Sequence, residues 1–300
     1  PASEYRAQGR GGKGIRAMAT REEDYVETVF TASTHDYILF FTSFGRVYRK
    51  KGYQIPEAGR AARGTNIVNI LPVEPGEKVS AMLHVREFGD MYIFMVTRSG
   101  TVKRLPLDAI KNIRKTGIRA LSIAEDDELI TVRLTDGKQN ILIATHEGYA
   151  ICFDENDVRP MGREAAGVRG IKLREGDYVV GAGRAGGGTA LLSVTENGYG
   201  KRTELDEYLR GADGERQPQS RGGMGLKNYN CTEKTGYVAD VKVVREDDDL
   251  LIVADDGTII RTAASGVSVL GRATQGVRIM RPNPGAKVIS VARTEREDAE

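Results

Sequence analysis

The residues with the most chemistry in them are cations set among glycines. Gln8-Gly9-Arg10-Gly11-Gly12-Lys13-Gly14 places four glycines in seven residues. Glycine removes side-chain obstruction, so backbone N–H groups can approach a phosphate closely; Arg10 and Lys13 add charge, and Gln8 adds an amide donor. A looser copy, Ser220-Arg221-Gly222-Gly223-Met224-Gly225, argues for a loop with a fixed place in a larger unit rather than a flexible linker. Arg46, Arg49, Lys50, Lys51, Arg60 and Arg63 give residues 45–64 a net charge of +5, and Lys103, Arg104, Arg114 and Lys115 help give residues 100–119 the same. Arg169, Lys201, Arg202, Arg221, Arg261 and Arg272 fall in corresponding stretches further on, with a weaker sector near residues 148–227. The whole chain carries only +2, so its remainder is strongly acidic. Charge segregated in this way is the footprint of a basic belt that tracks a phosphate backbone. Aromatics are 6% of the chain and Trp is absent, which disfavours base stacking on single strands and makes duplex DNA the expected partner.

Catalytic constellations do not emerge. His35, His84 and His146 sit in unrelated contexts, with no HExxH, GxSxG or P-loop. His35-Asp36 reads as a capped turn, His146 as an exposed hairpin-turn residue, and Glu125-Asp126-Asp127-Glu128 as a solvated turn without the spacing of a calcium loop. Cys152 and Cys231 are too far apart for a CxxC, so neither a zinc cluster nor a disulfide framework is expected, and a reducing cytoplasm fits. No catalytic, cofactor-binding or metal-binding residue is assigned. No apolar run approaches the roughly 18 residues of a membrane span. The opening Pro1-Ala2-Ser3-Glu4 reads as an excerpt from a longer polypeptide.

These cations need a frame, and the frame is repetitive. Gly14-Ile15-Arg16, Gly117-Ile118-Arg119, Gly167-Val168-Arg169 and Gly276-Val277-Arg278 recur, with looser copies at Gly64-Thr65-Asn66 and Gly225-Leu226-Lys227, at spacings of 50 to 58 residues. Five apolar runs each end in a glycine turn and restart, as in Tyr37-Ile38-Leu39-Phe40-Phe41-Thr42-Ser43-Phe44-Gly45-Arg46-Val47-Tyr48, which is the pattern of a buried strand entering a hairpin. An acidic or glycine turn and a further strand close each unit. Units of about 50 residues with four short strands have the size of a propeller blade, and six Gly-x-Arg elements predict an all-β, six-bladed, propeller-like fold spanning residues 1–300 as one domain. The chain would start inside the first blade, with that blade's missing strands upstream. A single blade cannot bury its apolar faces alone, so neighbours must share the core.

With these motifs in hand, the chain resembles the gyrase A C-terminal domain family, whose marker is the heptapeptide Gln-basic-Arg-Gly-Gly-basic-Gly, the GyrA box. Six of the seven positions agree, and Gly9 stands where the pattern has a basic residue. Thr34-His35-Asp36, Gly45-Arg46-Val47-Tyr48, Val158-Arg159-Pro160-Met161-Gly162, Gly167-Val168-Arg169-Gly170-Ile171 and Asn197-Gly198-Tyr199-Gly200-Lys201-Arg202-Thr203 extend the resemblance along the chain. It implies a six-bladed β-pinwheel whose blades exchange strands and which wraps duplex DNA in an assembly of two A and two B subunits. The tyrosine nucleophile, ATP and Mg would lie elsewhere in that assembly, leaving this segment non-catalytic and without a cofactor. A topoisomerase IV type of domain, which binds DNA without such a box, and a propeller that scaffolds protein partners are the competing readings.

Overall fold

The computed structural model describes residues 15–16, 31–59, 62–212 and 214–295. The heptapeptide at 8–14 and Arg60 lie outside the described residues. Chain order runs β1 (Ile15–Arg16), then a hairpin of β2 (Tyr37–Thr42) and β3 (Arg46–Lys51), then β4 (Val79–Val85). A second hairpin, β5 (Tyr92–Thr97) and β6 (Thr101–Pro106), precedes β7 (Ile118–Arg119) and β8 (Leu129–Thr135). The same order follows with β9 (Asn140–Thr145), β10 (Tyr149–Asp154), β11 (Val168–Arg169) and β12 (Val179–Arg184). It repeats with β13 (Ala190–Thr195), β14 (Tyr199–Glu204), β15 (Leu226–Lys227) and β16 (Val238–Val244). The fifth hairpin, β17 (Asp248–Ala254) and β18 (Thr258–Ala263), is followed by β19 (Val277–Arg278) and β20 (Val288–Glu295).

Each hairpin turns through three residues, the last a glycine. In the fourth, Gly198 donates its N–H to Thr195 O at 3.0 Å and has φ +83°, and the Tyr199 N–H is 3.2 Å from Thr195 Oγ1. This is the three-residue hairpin loop in which a left-handed residue closes a tight turn. Threonine ends the leading strand in four of the five hairpins because its hydroxyl accepts the N–H that restarts the ladder. The leading strands are apolar at consecutive positions because both faces are covered. Ile93 and Met95 pack with Leu39 and Phe41 of the preceding hairpin, whereas Phe94 and Val96 pack with Ile141 and Ile143 of the following one. The arrangement continues through Leu142 with Leu191, and Leu192 with Leu250.

Five antiparallel sheets of four strands form among the described residues, in the orders β4-β2-β3-β7, β8-β5-β6-β11, β12-β9-β10-β15, β16-β13-β14-β19 and β20-β17-β18-β1. β8 packs on β4 and β12, and β16 on β12 and β20, so these innermost strands surround a common axis. The two-residue Gly-x-Arg strands lie outermost. β7, β11, β15 and β19 each come from the repeat after the hairpin they pair with, as β7 does when it pairs with β3, and β1 closes on the last hairpin. The blades therefore exchange strands.

The expectation of six blades is corrected to five. Six Gly-x-Arg elements predict six units, but a sheet is founded on its hairpin, and the described residues hold five hairpins. Ile15–Arg16 founds no sheet of its own; it pairs with Thr258 and Ile259 as the outer strand of the fifth. The copy at Gly64-Thr65-Asn66 forms no strand at all, and Asn66 instead caps a short 3-10 turn at Ile67–Asn69.

Candidate nucleic-acid interface

The rim is built from the outermost strands and from the loops that lead into them. Arg119, Arg169, Lys227 and Arg278 are the second residues of β7, β11, β15 and β19. Each pairs across to the first residue of a hairpin's second strand: Arg119 with Arg46, Arg169 with Thr101, Lys227 with Tyr149, and Arg278 with Tyr199. Two of those partners are tyrosines that seat the cation, with Lys227 Nζ 4.8 Å from the Tyr149 ring and Arg278 4.4 Å from the Tyr199 ring. Of these four, the charge pattern of the sequence marks Arg119 and Arg169, and the latter is among the residues assigned to the belt. The repeated Gly-x-Arg signature also marks Arg278, and its looser copy Gly225-Leu226-Lys227 marks Lys227.

A recurring guanidinium bond links successive loops. Arg163 donates to Arg119 O at 3.4 Å, Arg221 to Arg169 O at 2.5 Å, and Arg272 to Lys227 O at 2.8 Å. Each arginine stands four residues before the glycine of its own Gly-x-basic element and reaches the carbonyl of the basic residue one blade back. The loops are thus tied in series, which holds the rim cations at a set spacing.

The sequence-predicted belt divides into three groups: free, buried and partly engaged. Arg63, Arg114, Lys115 and Arg169 are exposed and carry no side-chain hydrogen bond or ion pair among the described residues, as do Arg159 and Lys172, which sequence reasoning had passed over. These can take a phosphate. Lys103, Arg104, Lys201 and Arg202 cannot, and their assignment as DNA contacts is corrected. Lys103 is 1% exposed and donates to the carbonyls of Ala120, Arg163 and Ala165 at 2.9, 2.8 and 2.8 Å. Lys201, with no exposed surface, donates to Gly271 O at 2.7 Å and to Arg272 O and Thr274 Oγ1. Burial pushes both ammoniums down to about 8. Arg104 and Arg202 follow them in sequence and donate through Nε to Val158 O and Val267 O, each at 2.8 Å.

The remaining candidates are partly engaged. Arg46 is 2.6 Å from Glu74, Arg49 donates to Lys111 O and lies over the Tyr37 ring, and Lys51 Nζ sits 3.5 Å from the same ring. Lys50 is half-buried. Arg261 is paired with Asp249, which withdraws it from the belt.

Several acidic side chains are taken up by the turns entering the inner strands, although Glu164 stands on the rim 3.2 Å from Arg119. Glu77 accepts from Thr42 Oγ1 at 2.7 Å and from the Tyr48 hydroxyl at 2.8 Å, and Asp127 accepts from the Ser99 N–H and hydroxyl. The run Glu125–Glu128 is therefore a turn that clamps a hairpin. In the weaker sector, Glu155 is buried 3.6 Å from Arg104, Asp157 accepts from the Arg221 N–H, and Glu207 accepts from the Arg272 N–H. Their charge is partly neutralised internally. His35 lies in the turn that Asp36 caps by accepting the Ser33 N–H at 3.1 Å. His146 is not exposed as expected: it stacks 4.4 Å from the Tyr178 ring and 4.5 Å from Tyr237, and its Nε2 is 2.9 Å from Glu196 Oε1. That hydrogen bond holds the Glu196 carboxyl below its ordinary value.

The family described as DNA gyrase C-terminal domain, beta-propeller, matches residues 1–33, 36–86, 92–136, 139–185, 190–212 and 248–295. The A subunit of DNA gyrase from Staphylococcus epidermidis is 45% identical over 302 residues, covering 99% of this chain and 33% of the relative. Its counterpart from Staphylococcus aureus is 45% identical over 304 residues, covering 100% and 33%. The chain therefore spans about a third of the length of these curated relatives. A solved DNA gyrase A C-terminal domain superposes with a TM-score of 0.86 at 27% identity, covering 97% of this chain and 93% of that one. The C-terminal domain of a DNA topoisomerase IV superposes with a TM-score of 0.73 at 25% identity, covering 93% and 85%.

Proposed function

Because the chain belongs to the DNA gyrase C-terminal domain family, we propose that it binds duplex DNA along its rim and bends it, as the DNA-wrapping part of the larger gyrase A polypeptide. The observation that carries this reading is the row of basic residues that successive repeats place on the outer strands, Arg119, Arg169 and Lys227, tied in series by arginine bonds and accompanied by exposed Arg114, Lys115, Arg159 and Lys172 in the neighbouring loops. A compact chain of this length has a radius of about 25 Å and a perimeter of about 150 Å, or about 45 base pairs. Bending DNA through half a turn over such a body costs on the order of 20 kcal/mol by elastic scaling. At about 1.5 kcal/mol or more per charge-assisted contact, roughly ten phosphate contacts offset it. A rim populated by successive blades has room for that number; a single loop does not.

In this reading the heptapeptide Gln8–Gly14 sets where the wrap starts or stops, and so its handedness. DNA cleavage and ATP hydrolysis belong to the rest of the gyrase A polypeptide and to its B partners in a heterotetramer. Replacing Arg10 and Lys13 with Ala in the holoenzyme is expected to abolish supercoiling while leaving much of the relaxation activity. Survival of supercoiling in that variant contradicts the role given to the heptapeptide.

The decisive experiment is ligation of a nicked circle in the presence of the protein, followed by topoisomer analysis. A shift in linking number that grows with protein concentration is expected. Binding without any shift favours the topoisomerase IV type of activity, and no binding in dilute buffer favours a protein scaffold.

A further inference from the structure

Four blades each send a cation toward the axis, near the ends of the inner strands away from the hairpin turns: Arg133 from β8, Arg184 from β12, Lys242 from β16 and Arg293 from β20. Contacts across blades tie Arg184, Lys242 and Arg293 together, and β8, which carries Arg133, packs on β12. Arg293 Nη1 donates to Gly187 O, just beyond β12, and to Val243 O of β16 at 2.9 Å. A methyl group placed on the buried Gly187 would lie 3.5 Å from Arg293 Nη1 and 3.6 Å from Arg184 Cγ. Arg133 feels the charges of Asp240, Arg184 and Arg293, which belong to three other blades. Blades that are not neighbours come together only at the axis.

Two of the four cations have carboxylate partners. Lys242 Nζ is 3.2 Å from Asp240 Oδ2, and Arg293 Nε is 3.0 Å from Asp248 Oδ2. Asp240 is fully engaged, since it also accepts the Val241 N–H at 2.7 Å and the Val291 N–H at 2.9 Å. Among the described residues Arg133 donates only to the neutral Thr131 Oγ1 at 2.6 Å and Val132 O at 2.9 Å. Arg184 has neither a side-chain hydrogen bond nor an ion pair among the described residues. Both are half-buried. Two half-buried guanidiniums on adjacent inner strands repel in a reduced dielectric unless an anion lies between them, and their planar forks match the oxygens of a phosphate or similar group.

We infer that Arg133 and Arg184 form a binding site for a free oxyanion of phosphate size at the axial end opposite the hairpin turns. The site is separate from the proposed DNA surface: the innermost and outermost strands of a sheet stand three strand spacings apart, about 14 Å.

The test is calorimetric titration of the protein with inorganic phosphate, with ionic strength held constant by sodium chloride. Saturable binding of one phosphate per chain is expected, weakened about tenfold or more in Arg184→Met, the loss of one charge-assisted hydrogen bond. A thermal melt checks that the variant is folded. A second titration uses wild-type protein saturated with short duplex DNA and does not depend on any variant; phosphate affinity should be unchanged. The inference is overturned if wild-type protein shows no saturable binding, if folded Arg184→Met binds as well as wild type, or if duplex displaces the phosphate, since that places it on the rim.

Discussion

Lys103 and Lys201 stand three residues after a hairpin glycine, and there the ammonium acts as a structural post. Lys201 gathers Gly271 O, Arg272 O and Thr274 Oγ1, groups some seventy positions away, and so shapes the loop that presents Arg272. Lys201→Met leaves those acceptors without their donor, and a loss of about 1–3 kcal/mol in unfolding free energy is expected from denaturant titration. The pH dependence has a definite sign. Burial lowers the Lys201 ammonium to about 8, below its value in the unfolded chain, so the folded protein holds fewer protons between those values. The corresponding stability is fully present above the unfolded value of 10.5 and is lost as pH falls through about 8. The gap in melting temperature between wild type and Lys201→Met should widen from pH 8 to pH 10; a constant gap contradicts the buried-ammonium account. None of this was legible in the sequence, because a buried lysine and a surface lysine share one letter and the distinguishing carbonyls come from the next repeat. His146 escaped for the same reason: Tyr178, Glu196 and Tyr237 reach it from three separate segments.

At the level of the hairpin, local sequence was a reliable guide. Apolar runs ending in Thr-x-x-Gly mark every tight turn but the fifth, where Ala254 replaces threonine. The glycine answers two demands at once. Gly198 has φ +83°, and a Cβ there would lie 2.2 Å from Met280 O, whose segment docks on the turn through Ile279 N–H to Gly198 O at 2.8 Å. Gly176 has a similar φ of +77° with open space around it. Gly176→Ala is therefore expected to cost about 1 kcal/mol of backbone strain, and Gly198→Ala distinctly more, about 2–3 kcal/mol or above, because the docked backbone must also move. Denaturant midpoints of the two variants test this; equal losses would mean that docking adds nothing. The blade count was misjudged at this same level. Periodic glycines report where outer strands begin, and an outer strand serves a neighbour's sheet, so counting them is not counting blades.

For the whole molecule, the division of charge has a mechanical origin. Carboxylates clamp the turns that enter the inner strands, while cations occupy the last strand and the loops feeding it. Binding of DNA should therefore weaken steeply with salt, through counterion release. Arg169→Ala and Lys172→Ala should each lower the slope of log affinity against log salt by about one while leaving the melting temperature unchanged. Lys201→Met should do the reverse, lowering the melting temperature with little change in slope. Fluorescence anisotropy over a salt series, paired with thermal melts, separates the two behaviours. If Arg169→Ala leaves the slope unchanged, the proposed path along the rim is wrong.

The borrowing of outer strands also governs how such a molecule can be trimmed or rebuilt. A cut between β14 and β15 would remove everything after the fourth hairpin and also unzip the margin of the third sheet, exposing the β10 backbone to any passing chain. Repeats of this kind are interlocked like roof tiles, each overlapping the joint of the one before it. A gene coding for one fewer repeat must drop one whole period, so that every remaining hairpin still receives an outer strand from the repeat that follows it.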